Sequence, residues 1–279
     1  VKDRSYPPPP EPLPLPAVDN HTHIEPGQWP RPALTLDQQV AQAKAVGIDR
    51  IVQCGCDLES ARWTAEEAVT NPAVLGAISI HPNDAPRLAA HGDYAAALAQ
   101  IHQLAKAQPR VRAIGETGLD YYRTGPEGRA MQQQAFRDHI ALAKELGLAM
   151  QIHDREAHHD VLEVLLAEGA PERTVFHCFS GDAEMAAVCA DNGWYCSFAG
   201  TVTFGNAADL RAAVQVLPVE LVLLETDAPY LTPQPYRGQA NAPFLAPLTM
   251  RTLAELMGLD LAAACRQISD NSVAVYGAW

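Results

Sequence analysis

Eight short apolar, β-prone runs recur along the chain, each separated from the next by a longer stretch of a different pattern. They read AVDNH from Ala17, RIVQCG from Arg50, VLGAISI from Val74, VRAIGE from Val111, LAMQIH from Leu148, TVFHCF from Thr174, WYCSFA from Trp194 and LVLLET from Leu221. Parallel strands need a long crossover between neighbours, so a strict strand–helix alternation leaves few architectures open. Helical patterns fill the intervals, among them residues 36–47, 58–70, 93–107 and 129–147. In the last of these Met131, Ala135, Ile140 and Leu142 lie broadly on one apolar side, and Gly147 stands where a C-cap belongs. Eight such units predict an α/β fold, a (β/α)8 TIM barrel, in one domain over residues 17–279; about 250 residues is usual for one. The near-continuous apolar strands fit burial on both faces. A doubly wound open sheet is the competing fold. It requires a Gly-rich phosphate turn after its first strand, and DNHTHIEPG contains no GxGxxG.

Residues 1–16, VKDRSYPPPPEPLPLP, form neither a helix nor a central strand, because repeated proline removes donors and holds the backbone near polyproline II. They are expected to be an extended proline-rich arm, lying along the domain or disordered. A formal charge of −13 argues against broad attraction to a polyanion, although bound divalent cations would invert the potential inside a cleft. The six cysteines show no CxxC pair. Cys54 and Cys56 in QCGCD are candidate thiolate ligands, but with no second pair to close a structural zinc site the reading favoured for both is packing. No window is apolar enough to span a bilayer and no signal-peptide core is present, so the expected location is cytoplasmic, without membrane association.

Polar groups collect at the ends of the strand candidates. On the first, His21 and His23 are two residues apart and project on one side, with Asp19 on that side too. An isolated HxH is as easily a pair of solvated or core histidines as a metal site. The later strand ends, however, read His81 in SIHP, Glu116 in IGETGLD, His153 in QIHDR, His177 in FHCFSG and Asp227 in ETDAPYL. In a barrel these positions share the face that carries the active site. A carboxylate between two ions can bridge them, which makes Glu116 the natural shared ligand, with His21, His23 and Asp227 on one ion and His153 and His177 on the other. Imidazoles mixed with carboxylates suit Zn²⁺, Mn²⁺ or iron better than Ca²⁺, and Mg²⁺ remains open where substrate phosphate supplies oxygens. No GxSxG elbow, GxxxxGK[ST] loop or HExxH helix offers a rival chemistry.

The motifs DNHTH, GETGLDYY, IHDREA, HCFSG and ETDAPYLTP, in this order from about Ala17 to Gly277, resemble those of the TatD family of metal-dependent hydrolases and deoxyribonucleases. The resemblance implies a (β/α)8 barrel, two divalent ions (Mg²⁺, Mn²⁺ or Zn²⁺) on the residues just named, and cleavage of DNA phosphodiesters, often as a 3′ to 5′ exonuclease. DNA is then the expected partner, as substrate, and no stable protein partner is inferred. One segment departs from the family pattern: where it has an RGKRNEP-like run, this chain reads RGQANAP, with Gln239 and Ala240 at two basic positions. The expected mechanism is attack by metal-activated water, whose pKa falls from about 15.7 to near neutrality. Asp227 would orient or deprotonate that water, with Glu116 as its catalytic companion. Arg155, His81, Arg123 and Arg237 are the candidates for substrate contact. Tyr121 and Tyr122 are candidates for stacking on a base or for packing on the rim, and His158 and His159 are expected to face solvent. The alternatives are hydrolysis of an amide or ester, such as an aminoacyl-tRNA, deamination, or a non-catalytic interaction protein with the arm as docking peptide.

Overall fold

The computed structural model describes residues 5–27 and 33–279. All eight expected strands form: β1 Ala17–Thr22, β2 Ile48–Gly55, β3 Val74–Ile78, β4 Val111–Asp120, β5 Ala149–Arg155, β6 Thr174–Phe176, β7 Tyr195–Phe198 and β8 Val222–Leu224. They lie in one sheet in sequence order, β1 to β8, and the fold is the (β/α)8 barrel. The helices are α1 Leu36–Ala45, α2 Leu58–Thr70, α3 Ala85–His91, α4 Tyr94–Ala107, α5 Pro126–Leu146, α6 His158–Glu168, α7 Ala183–Asp191, α8 Ala208–Val216, α9 Ala246–Met257 and α10 Leu261–Tyr276. Helix α5 starts earlier than its apolar pattern, at Pro126, where a proline in the first turn sacrifices no hydrogen bond. Gly147 closes it in the left-handed conformation, as its position predicts. No described helix is long and apolar enough to cross a membrane.

Contacts divide the chain into two compact units, one running through Gln53 and resuming at Gly181, the other spanning Cys54–Ser180. In the first unit β8 runs alongside β1. The Asn20 side chain donates to the Leu224 carbonyl (2.8 Å), and Thr226 N–H donates to Asp19 (2.8 Å). Helix α10 covers this pair with buried Ile268 and Val275. The arm belongs to this unit. Leu13 N–H donates to the Val46 carbonyl (3.0 Å), its side chain is buried, and Arg251 donates to the carbonyls of Glu11 (2.9 Å) and Pro12 (3.3 Å). Gly47, at φ +89°, leaves room for it: a Cβ there would stand 3.0 Å from that of Leu13.

In the second unit, β3, β4, β5 and β6 pair in parallel. Residues Ala149–Ile152 of β5 are all buried, as a strand covered on both faces requires. Phe136, Ile140 and His139 fill the inner side of α5. His139 is neutral there by geometry, with Nε2 accepting from Ile80 N–H (3.2 Å) and Nδ1 facing the Ala135 carbonyl (2.6 Å).

Candidate metal centre

Glu116 anchors the donor group of the second unit. Its motif, GETG, is shaped by backbone proximity: a Cβ on Gly115 would meet the Cβ of Gln151 on β5 at 2.5 Å, and Gly118, opposite His153, sits at φ +137°. Glycine at both places lets β4 lie against β5, which sets Glu116 beside His153. The Oε2 atom of Glu116 is 3.1 Å from His153 Nδ1 and 2.5 Å from His177 Nε2, and the two ring nitrogens are 3.5 Å apart. Oε1 lies 3.3 Å from Cys56 Sγ and 3.6 Å from His81 Nε2. Both oxygens therefore face donors, as a bridging carboxylate requires.

The first unit holds a second group. His21 Nε2 and His23 Nε2 are 3.2 Å apart, and Asp227 Oδ1 is 3.4 Å from His23 Nε2 and 4.0 Å from His21 Nε2. Asp227 follows β8 at φ +50°, a left-handed conformation that a short polar side chain tolerates, and its N–H donates to the His21 carbonyl (3.0 Å). These spacings test the fit to a metal. Ligand atoms about 2.0–2.1 Å from a tetrahedral ion stand roughly 3.3 Å from one another. Four of the six separations, 3.1–3.5 Å, lie close to that spacing, with Glu116–His177 shorter (2.5 Å) and His21–Asp227 longer (4.0 Å), and with nitrogen and oxygen donors in both groups the residues fit a divalent cation.

Electrostatics point the same way. Burial alone would raise the pKa of Glu116, but the charges of His177 and His81 and the bonds from His153 and His177 outweigh it and hold it well below the usual carboxylate range. Burial opposes the charge of Asp120 too; its bonds from His153, Asn83 and Arg123 N–H hold its pKa low. His153 is raised, because Asp120 and Glu116 overcome the burial that disfavours its cation. Asp19, expected beside the histidines, instead accepts from Thr226 N–H (2.8 Å) and Thr226 Oγ1 (2.6 Å), and burial pushes its pKa up to about 8. It braces β8 rather than joining the donors.

His81 has its tautomer set by Asn83, whose N–H donates to Nδ1 (3.0 Å). The ring proton of neutral His81 is thus on Nε2, aimed at the Glu116 side, which suits a donor to substrate. Of the arginines, Arg155 is exposed at the end of β5 with its guanidinium 4.0 Å from the centre of the Tyr122 ring. Arg123 is exposed and contributes its backbone N–H to Asp120 (2.8 Å), while Arg237 stacks on Phe204 at 4.3 Å. Tyr121 donates to Asp160 (2.6 Å) and Tyr122 is 59% exposed, so only Tyr122 offers a free ring face. His158 is tied to Asp154 (2.7 Å), and His159 is exposed.

One residue at the site escaped the sequence reading, and a second was read there as packing. Asp120 Oδ2 faces His153 Nε2 at 3.3 Å and accepts from Asn83 Nδ2 (2.9 Å), so His153 is held between two carboxylates. The period of two in GETGLD, with Glu116 and Asp120 on one face of β4, is the signal that identifies it. Cys54 is buried with its Sγ 3.8 Å from that of Cys56, and Cys56 is half-buried and reaches Glu116.

The profile of the family described as TatD related DNase matches residues 18–277. An uncharacterized metal-dependent hydrolase TatD of Mycobacterium tuberculosis is 45% identical over 264 residues, covering 93% of this chain and 97% of the relative. The uncharacterized metal-dependent hydrolase YabD of Bacillus subtilis is 35% identical, covering 91% and 96%. Among solved structures, that of YJJV, a TatD homolog from Escherichia coli K12, superposes with a TM-score of 0.84 at 26% identity, covering 93% of this chain and 97% of that one.

Proposed function

Since this chain belongs to the TatD-related DNase family and is a metal-dependent hydrolase, we propose that it hydrolyses DNA phosphodiesters, as a 3′ to 5′ exonuclease, with two divalent ions. The observation that carries the reading is the pair of donor groups at metal-edge spacing, His153–His177–Glu116 and His21–His23–Asp227. Each group would hold one ion, with Glu116 and Asp227 as the carboxylates of their respective groups. A divalent cation, when bound, supplies Lewis acidity toward water and phosphoryl oxygen.

The protein's own residues supply the rest. Asp227 is fixed through its N–H and is only partly buried, so its carboxylate orients the attacking water and accepts its proton. His81 presents its Nε2 proton to a phosphoryl oxygen. Arg155, backed by the exposed Tyr122 ring, offers a cation and an aromatic face to the next nucleotide. Asp120 holds His153 in one tautomer with Nδ1 turned to Glu116.

A second reading, hydrolysis of an ester or amide, is favoured by the segment from Arg237 to Pro243. Ala240 is fully buried and its N–H donates to the Ser5 carbonyl (3.3 Å), so one basic position of the family pattern is here an apolar seat for the arm. Labelled DNA oligonucleotides, aminoacyl esters and cyclic amides, each assayed with Mg²⁺, Mn²⁺ and Zn²⁺, separate the readings. Shortening of DNA from the 3′ end, lost on chelation and in folded Glu116→Gln protein, is the expected result. Turnover of an ester or amide with no DNA cleavage under any metal overturns the nuclease reading.

A further inference from the structure

The residues around Glu116 Oε1 differ in chemistry from those around Oε2. At Oε2 the neighbours include two imidazoles, whereas Oε1 faces the sulfur of Cys56, at 3.3 Å. His81 Nε2 is farther, at 3.6 Å, and carries the ring proton because Nδ1 accepts from Asn83 N–H. It offers an ion no lone pair in that tautomer.

The placement of Cys56 is built into the fold. Gly55 ends β2 against α2, where a Cβ would stand 2.7 Å from the Ala61 Cα, so only glycine permits so tight a turn from strand to helix. Cys56 N–H then donates to Ser60 Oγ (3.0 Å), and its carbonyl accepts from His81 N–H (2.9 Å). Both backbone groups are held, which leaves the side chain aimed at Glu116. Packing alone does not account for the position: Cys54, within β2, is fully buried, whereas Cys56, just beyond its end, is not. A thiolate sulfur about 2.3 Å and a carboxylate oxygen about 2.0–2.2 Å from one tetrahedral ion stand roughly 3.5 Å apart. The Cys56–Glu116 spacing fits such an edge.

We propose that Cys56 is a thiolate ligand of the ion that Glu116 holds, and that it biases this position toward thiophilic divalent ions such as Zn²⁺, Co²⁺ or Cd²⁺ over Mg²⁺. The inference rests on the two-ion reading above. On binding, the S–H bond gives way to a metal–sulfur bond, the thiol proton passes to solvent, and no electron is transferred. Soft sulfur selects zinc-like ions, while Mg²⁺ keeps oxygen ligands and water.

The full chain, freed of metal by chelation and titrated with Co²⁺, provides a test that does not depend on turnover. Wild-type protein is expected to develop a thiolate-to-cobalt charge-transfer absorption in the near ultraviolet together with visible d–d bands. Cys56→Ser should lose the former and keep the latter, and Cys54→Ser should keep both. Competition between ions should show Zn²⁺ affinity falling by at least about tenfold in Cys56→Ser, the lower end of what loss of even an outer partner costs, with Mg²⁺ affinity unchanged. Circular dichroism checks that each variant is folded, and Cys56→Ala, which leaves no oxygen in place of sulfur, repeats the measurement if the serine variant is not. Cobalt d–d bands without charge transfer in wild-type protein, or a charge-transfer band that survives in Cys56→Ser, overturns the assignment of Cys56 while leaving the metal centre intact. Failure of wild-type protein to bind any of these ions overturns both.

Discussion

Asp120 offers a direct measure of how much the arrangement behind the His153 imidazole, a proposed metal ligand, matters. Its carboxylate is 1% exposed and accepts from Asn83 Nδ2 (2.9 Å) and Arg123 N–H (2.8 Å), with His153 Nε2 at 3.3 Å. In Asp120→Asn one oxygen becomes an NH2 group of nearly the same size. Whichever way the amide turns, a donor meets a donor: it faces Arg123 N–H on one side, or Asn83 and the His153 ring proton on the other. Removing one charge-assisted bond of this kind costs about 1.5–3 kcal/mol of stability. The effect on the metal is separate. Loss of a carboxylate behind a ligating histidine lowers metal affinity about 10- to 100-fold, equivalent to roughly 1.4–2.8 kcal/mol. Calorimetric titration with Mn²⁺, alongside denaturant unfolding of the metal-free protein, measures both quantities. Gln132→Ala is the control: Gln132 supports Asp120 through the backbone, its side-chain carbonyl accepting from Asp120 N–H (2.9 Å), and does not touch His153. It should lose stability with a smaller change in affinity. Folded Asp120→Asn protein that binds Mn²⁺ as tightly as wild type would refute the reasoning, and with it the role of Asp120 in holding His153.

Three further outcomes follow from the fold. Burial holds the pKa of His139 below its ordinary 6.5, so the unfolded chain takes up a proton that the folded one resists. Stability present above about pH 6.5 should therefore be lost on acidification, at up to about 1.4 kcal/mol per pH unit, and His139→Gln should flatten that slope; parallel slopes in denaturant titrations would contradict it. Gly115→Ala forces a Cβ to 2.5 Å from that of Gln151 and should cost about 1–3 kcal/mol together with a weaker metal complex, measured by thermal unfolding with and without Mn²⁺. Leu13→Ala should lower stability by about 2 kcal/mol, because Leu13 is 8% exposed in its seat by Gly47; an unchanged unfolding midpoint would show that the arm does not stabilise the unit it lies on.

The eight strands and the polar residues His21, His23, Glu116, His153, His177 and Asp227 at their ends were legible in the chain, because periodicity and position within a strand are local properties. An apolar run bounded by polar residues fixes where a strand stops, and period two fixes which side chains share a face. Other features were not legible. The short helix α3, with proline in its first turn, divides the β3–β4 connection in a way the apolar pattern does not mark. Asp19 shares a face with His21 in sequence yet bonds to Thr226, because β8 lies alongside β1 and supplies nearer donors. Cys56 read as packing until the turn at Gly55 aimed it at Glu116, sixty residues away. Asp120 acquires its role from His153 and Asn83, partners on other segments. The sequence by itself thus determined the strands, the longer helical stretches between them and the kind of atom each strand end carries. Only the tertiary structure decided which atoms meet, because the stagger between neighbouring strands and the angle of a turn set distances of a few ångströms between residues far apart in the chain.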